Sequence, residues 1–111
     1  MNLKLGLAQI APKLGDLRAN VEKHLGLIEQ AAAQGVELLL FPELSLTGYN
    51  LQDLVYEVAA HASPDDPTFA PLLDASRAHG MDITVGFVEE DARHRFFIAQ
   101  AYLSRGEIVH V

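Results

Sequence analysis

Leu3, Leu5 and Leu7 alternate with Lys4, Gly6 and Ala8, and the run continues through Gln9 and Ile10 to Pro12. That period of two predicts a first strand over residues 3–10, and the small alternates imply that both its faces are covered. Leu14-Gly15-Asp16 is turn chemistry, with Asp16 placed to cap a helix that carries Leu17, Val21, Leu25, Ile28 and Ala32 on one side. Gly35 stops it. Residues 36–41 are apolar apart from Glu37, the pattern of a strand buried on both faces in a parallel sheet. Strand, helix and strand in this order imply a right-handed βαβ unit.

Farther along, Leu54, Val55, Val58 and Ala59 mark a short helix within 51–60, for which Asp53 is a capping residue. Asp65-Asp66-Pro67 offers carboxylates and a proline for another helix start, continued by Phe69, Leu72, Leu73 and Ser76 to a stop at Gly80. Strands are expected at 81–89, 96–103 and 107–111, joined by polar turns at 91–94 and 104–106. The fold class is therefore α/β, with a βαβ start followed by a β meander.

A chain of 111 residues, half of them apolar, makes one domain with enough material for a core. Acidic residues outnumber basic ones by 15 to 8, and the Lys and Arg residues are scattered, so neither nucleic acid nor a membrane surface is an expected partner. The N-terminal run is too short and too alternating for a signal peptide, and no apolar stretch approaches a membrane span. The absence of cysteine fits a reducing compartment. A cytoplasmic location is the expectation.

Glu43 is the foremost chemical candidate, because it follows the apolar run 36–41 where that strand runs out, at the rim of an α/β sheet. A carboxylate fixed there serves as a general base when its pocket is dry. Ser45 and Thr47 lie in no Gly-x-Ser-x-Gly elbow, and no histidine stands near them in sequence, so both read as turn residues. His24, His61, His79, His94 and His110 have no metal-ligand spacing and read as surface or loop residues. Glu89-Glu90-Asp91 with His94 is ligand-like in composition but coincides with a hairpin tip. No metal is assigned. Gly6, Gly80 and Gly86 form no phosphate-cradling pattern, and no cofactor is expected.

The segment Phe41-Pro42-Glu43-Leu44-Ser45-Leu46-Thr47-Gly48-Tyr49 resembles the glutamate motif of the nitrilase superfamily of carbon–nitrogen hydrolases. Leu5 to Ile10 resembles the opening strand of that family, Asn20 sits in its first helix at a familiar place, Val85-Gly86-Phe87 resembles its third-strand signature, and residues 101–109 resemble its later hairpin. Gly48 to Leu54 is also similar to glutaminase domains of glutamine-dependent NAD synthetases. Ile98 departs from the pattern, standing where relatives often carry Asn.

The resemblance implies a four-layer α-β-β-α sandwich of which residues 1–111 are an N-terminal part, and a Glu-Lys-Cys triad in which Glu43 is the general base. The thiol attacks the carbon of a small amide, the lysine holds the oxyanion, an amine leaves, and water hydrolyses the thioester. Tyr49 lines the substrate pocket in this reading. Lys4, Lys13 and Lys23 all precede Glu43 and do not match the lysine of the triad, and the thiol is absent, so these residues alone are expected to be inactive. Two alternatives stand beside it: a glutaminase domain serving an NAD synthetase, and a non-catalytic half-fold completed by a partner chain. The sandwich surface left uncovered favours a homo-oligomer.

Overall fold

In the computed structural model, which describes residues 2–111, β1 (Leu5–Leu7), β2 (Leu38–Leu40) and β3 (Asp82–Glu90) run parallel, and β4 (Phe96–Ser104) and β5 (Glu107–His110) follow antiparallel. They form one sheet in the order β1-β2-β3-β4-β5. Parallel neighbours require crossovers. Helix α1 (Leu17–Ala33) joins β1 to β2; helices α2 (Val55–Val58) and α3 (Ala70–His79) lie between β2 and β3.

Local chemistry explains the ends of the two long helices. The Asp16 carboxylate accepts from Ala19 N at 3.0 Å, as its capping role requires, and Gly35 follows the helix at φ 75°. Helix α3 has Pro71 in its first turn and ends on Gly80, whose φ of 58° is open to glycine at little cost. It starts at Ala70 and not at Pro67. The Asp66 carboxylate is spent one turn earlier, accepting from His61 N and Thr68 N at 2.9 Å each. The expected helix over 51–60 is instead a 3-10 turn at Gln52–Leu54 running into the single turn of α2, and Asp53 does not cap it, since no side chain caps that start. Gln52 takes φ 46°, which breaks the regular turn there.

Register and period two divide the sheet into two faces. Leu39, Ile83, Val85, Phe87, Ala101 and Leu103 point toward the helices and bury against Val21, Ile28 and Ala31 of α1 and Leu72 and Leu73 of α3. Each buried Val, Leu, Ile or Phe among them contributes roughly 1.5–3 kcal/mol. Phe69 and Phe87 meet edge-on at 4.9 Å between ring centroids inside this layer.

The opposite face is covered only at the Val88 end, where Leu44, Leu51 and Val58 of the following chain pack on it, and is open over β1, which corrects the expectation that β1 is covered on both sides: Leu5 is 49 % and Leu7 76 % exposed. Gly6 is small for another reason. A side chain there would press on Leu39 Cδ1 at 3.0 Å and Val36 Cγ1 at 3.1 Å. Leu38 and Leu40 of β2 are likewise only half-buried, and Ile98 on β4 is 65 % exposed. β1 is also shorter than expected, because ladder pairing with β2 extends only from Leu5 to Leu7. Among the described residues no helix is long and apolar enough to cross a membrane.

Candidate functional site

The site is built on the edge of β3. β2 stops pairing at Leu40, while β3 continues to Glu90, so the remaining polar groups of that edge need other partners. The chain after β2 supplies them in order. Phe41 N donates to Thr84 O at 3.0 Å, Leu46 N donates to Gly86 O at 3.0 Å, and Ala60 N donates to Val88 O at 2.9 Å. Gly86 N donates to the Ser45 hydroxyl oxygen at 3.0 Å, a side chain standing in for a strand carbonyl. The loop bearing Glu43 is thus stitched into the slot that a longer β2 would have filled.

Within this loop the acid is presented and its neighbours are held. Phe41 and Leu44 through Gly48 are buried, whereas Pro42, Glu43 and Tyr49 are exposed. Leu44 sits at φ 48°, a conformation costing about 1–3 kcal/mol for a branched side chain, and is kept there by packing on Leu51, Val58 and Val88. Ser45 N donates to Pro42 O, closing a tight turn that carries Glu43 at its second position, and Gly48 N donates to Leu44 O, closing the turn that follows. In this chain the Glu43 environment is therefore rigid but wet, not the dry pocket expected. Leu5, Leu7 and Ile98 on the same sheet face also stand exposed.

Helix α1 reaches under the loop with two side chains one turn apart. Asn20 donates from Nδ2 to Leu46 O and to Lys13 O, both at 2.8 Å, and its Oδ1 accepts from Lys13 N at 2.7 Å. His24 lies 2.6 Å by Nδ1 from Asn20 O and 2.9 Å by Nε2 from Ser45 Oγ, with its ring stacked on Phe41 at 4.0 Å. A carbonyl only accepts, so Nδ1 carries the hydrogen, and in the neutral ring Nε2 accepts a hydrogen bond from the Ser45 hydroxyl. This corrects the expectation that Ser45 has no histidine placed to meet it, a partner 21 residues away in sequence, and that His24 is a surface residue. Both residues are fully buried, so the pair is sealed from any substrate.

Burial pushes the His24 imidazole from its ordinary 6.5 down to about 4, against the opposing pull of the Asn20 carbonyl. The unfolded chain takes up the proton first, so stability present above pH 6.5 should fall progressively toward pH 4. The loss sums to about 3 kcal/mol. Urea titrations at stepped pH check this against His24→Gln, which cannot titrate; parallel slopes for the two proteins would rule His24 out as the cause.

The remaining candidates fall where the hairpin reading put them. Glu90 accepts from His94 Nδ1 at 2.8 Å and Asp91 pairs with Arg95 at 2.7 Å, both at the β3–β4 tip. Among the described residues no group of three or more His, Cys, Asp or Glu is placed to hold a metal. Thr47 is buried and donates to Gly48 O, a turn contact. Tyr49 is 64 % exposed at the far end of the loop. Lys13 pairs with Asp16, and Lys23 donates to Ala11 O. Sequence reasoning missed His24 and Gly86, although a glycine inside an apolar strand is a signal of close backbone approach.

The family model described as carbon–nitrogen hydrolase matches residues 4–110. A nitrilase from Talaromyces marneffei is 31 % identical over 120 aligned residues, covering 97 % of this chain and 37 % of its own length. A glutamine-dependent NAD(+) synthetase from Thermotoga maritima is 31 % identical over 109 residues, covering 98 % of this chain and 18 % of its own. The crystal structure of an N-terminal amidase superposes with a TM-score of 0.82 at 18 % identity, over 97 % of this chain and 27 % of that one. An amidase from Nesterenkonia sp. does so with a TM-score of 0.81 at 22 % identity, over 97 % and 41 %. At these identities the two structures speak for the fold. The chain spans less than half the length of each of these four proteins.

Proposed function

The chain belongs to the carbon–nitrogen hydrolase family, and from that membership we propose that Glu43 is the general base of an enzyme hydrolysing the non-peptide carbon–nitrogen bond of a small amide. The observation that carries this reading is the loop geometry: an exposed carboxylate inside a hydrogen-bonded turn, flanked by buried Phe41 and Leu44, at the carboxyl end of a parallel strand. Such a group keeps its position without reorganising when a proton must move.

A carboxylate by itself does not cleave an amide. A thiol is mostly protonated at neutral pH and needs a base to become the nucleophile, and the carbonyl oxygen needs a cation as charge develops on it. The chain has no cysteine, and its lysines precede Glu43, so the thiol and the lysine are assigned to residues outside these 111. Glu43 takes the thiol proton, the sulfur bonds to the amide carbon, the carbon–nitrogen bond breaks as the amine takes up a proton, and water releases the acid. Tyr49, exposed at the end of the same loop, is assigned to substrate contact.

The likeness to glutamine-dependent NAD synthetases favours a second form of this chemistry, in which the amide is glutamine and the product used is ammonia. One experiment addresses the nucleophile in both forms. Alkylation with iodoacetamide of the enzyme that carries these residues should abolish ammonia release from a panel of primary amides including L-glutamine. Full activity after complete alkylation would refute a sulfur nucleophile, since no thiol within residues 1–111 can account for protection.

A further inference from the structure

His24 of α1 and Ser45 of the loop that presents the acid form a buried, hydrogen-bonded pair. We infer that His24 and Ser45 are positioning residues for Glu43, the imidazole accepting the Ser45 hydroxyl hydrogen so that the same oxygen is free to accept Gly86 N–H and pin the loop to β3. This inference rests on the reading of Glu43 as the base.

The direction of the hydrogen bonds makes the pair act as a unit. Asn20 O fixes the proton on Nδ1 of His24, which leaves Nε2 as an acceptor 2.9 Å from Ser45 Oγ. The Ser45 hydroxyl has one hydrogen, and donating it to the ring orients its lone pairs toward Gly86 N, 3.0 Å away. Without the ring acceptor the hydroxyl is free to rotate, and the buried Gly86 N–H competes with that hydrogen for the same space. A lost partner in a buried position costs more than a hydrogen bond gains, so the loop would peel from the β3 edge rather than stay with an unpaired group.

The link to Glu43 is short. Ser45 lies two residues beyond the acid, and the stack of the His24 ring on Phe41, two residues before it, grips the other side. Phe41 N and Leu46 N bond β3 on either flank. A nucleophilic role for Ser45 is excluded by its complete burial. The pair therefore holds the carboxylate in place and touches no substrate.

The test uses three variants in the full enzyme carrying these residues. His24→Leu removes the acceptor and keeps the volume; Ser45→Ala removes the bridge; His24→Gln places an amide oxygen where Nε2 stood. Hydrogen exchange at the Gly86 and Leu46 amides, measured against the core amide of Ile83, should accelerate about ten-fold in His24→Leu and Ser45→Ala and stay near the parent in His24→Gln. Ammonia release from the most reactive amide of the panel should lose kcat by roughly a hundred-fold with KM unchanged in the first two variants, and recover in His24→Gln.

Unaltered loop exchange in His24→Leu and Ser45→Ala overturns the inference, as does a His24→Gln as damaged as His24→Leu, because packing alone would then explain the pair. Failure of the base assignment has a different signature. Glu43→Gln would keep its activity, which overturns the catalytic meaning of the pair, while the exchange result decides by itself whether the pair holds the loop.

Discussion

Replacing Glu43 with Gln is expected to lower turnover of the enzyme that carries these residues by about 10²–10⁴-fold, the usual contribution of a positioned general base. The same replacement should change stability by less than about 0.5 kcal/mol, because the side chain is exposed and a substitution at such a surface site removes no buried contact. The combination is the diagnostic result. A residue that shaped the loop would lose stability and activity together, whereas one that only moves a proton loses activity alone. Ammonia release and thermal unfolding of the purified pair of proteins measure the two effects; a variant whose turnover stays within a few-fold of the parent would end the assignment.

The largest structural effect is expected at Gly86. In an ordinary strand, Gly to Ala stabilises by roughly 0.5–1 kcal/mol. Here the sign should reverse. A methyl group built on Gly86 would collide with Leu44 N, and it would lie 2.5 Å from the Pro42 carbonyl oxygen and 2.9 Å from the Glu43 carbonyl carbon. All three are backbone atoms, which cannot rotate aside as a side-chain tip can. Gly86 also bonds the loop through both its N–H, to Ser45, and its carbonyl, from Leu46. Gly86→Ala should therefore expel the loop from the β3 edge, break those bonds, and cost about 3 kcal/mol or more, at the upper end of overpacking effects. Urea denaturation gives the number. Parent-like stability would mean that the loop does not rest on β3 as described.

The two replacements bracket the design of the site. One touches the chemistry and spares the frame; the other destroys the frame without altering a reactive group. Asn20 belongs with Gly86. Its three bonds tie Leu46 and Lys13 to α1, so the turn before the helix and the loop after β2 are fixed by one amide. Exposed pairs such as Arg18–Glu22 contribute little by comparison, being solvated and local.

The chain by itself determined the elements whose causes are local. Asp16 caps and Gly35 stops α1, Gly80 stops α3, Arg105 and Gly106 turn the last hairpin at φ 52° and 80°, and the strands over 81–89 and 96–103 were legible from apolar runs between polar turns. The position of Glu43 at a strand end was legible for the same reason. Tertiary structure decided what depends on partners far apart in the chain. His24 meets Ser45 across 21 residues and Gly86 meets Ser45 across 41, distances over which no period or motif carries information. It also decided which alternating leucines are buried, because a period of two marks two faces and does not say which of them another layer covers.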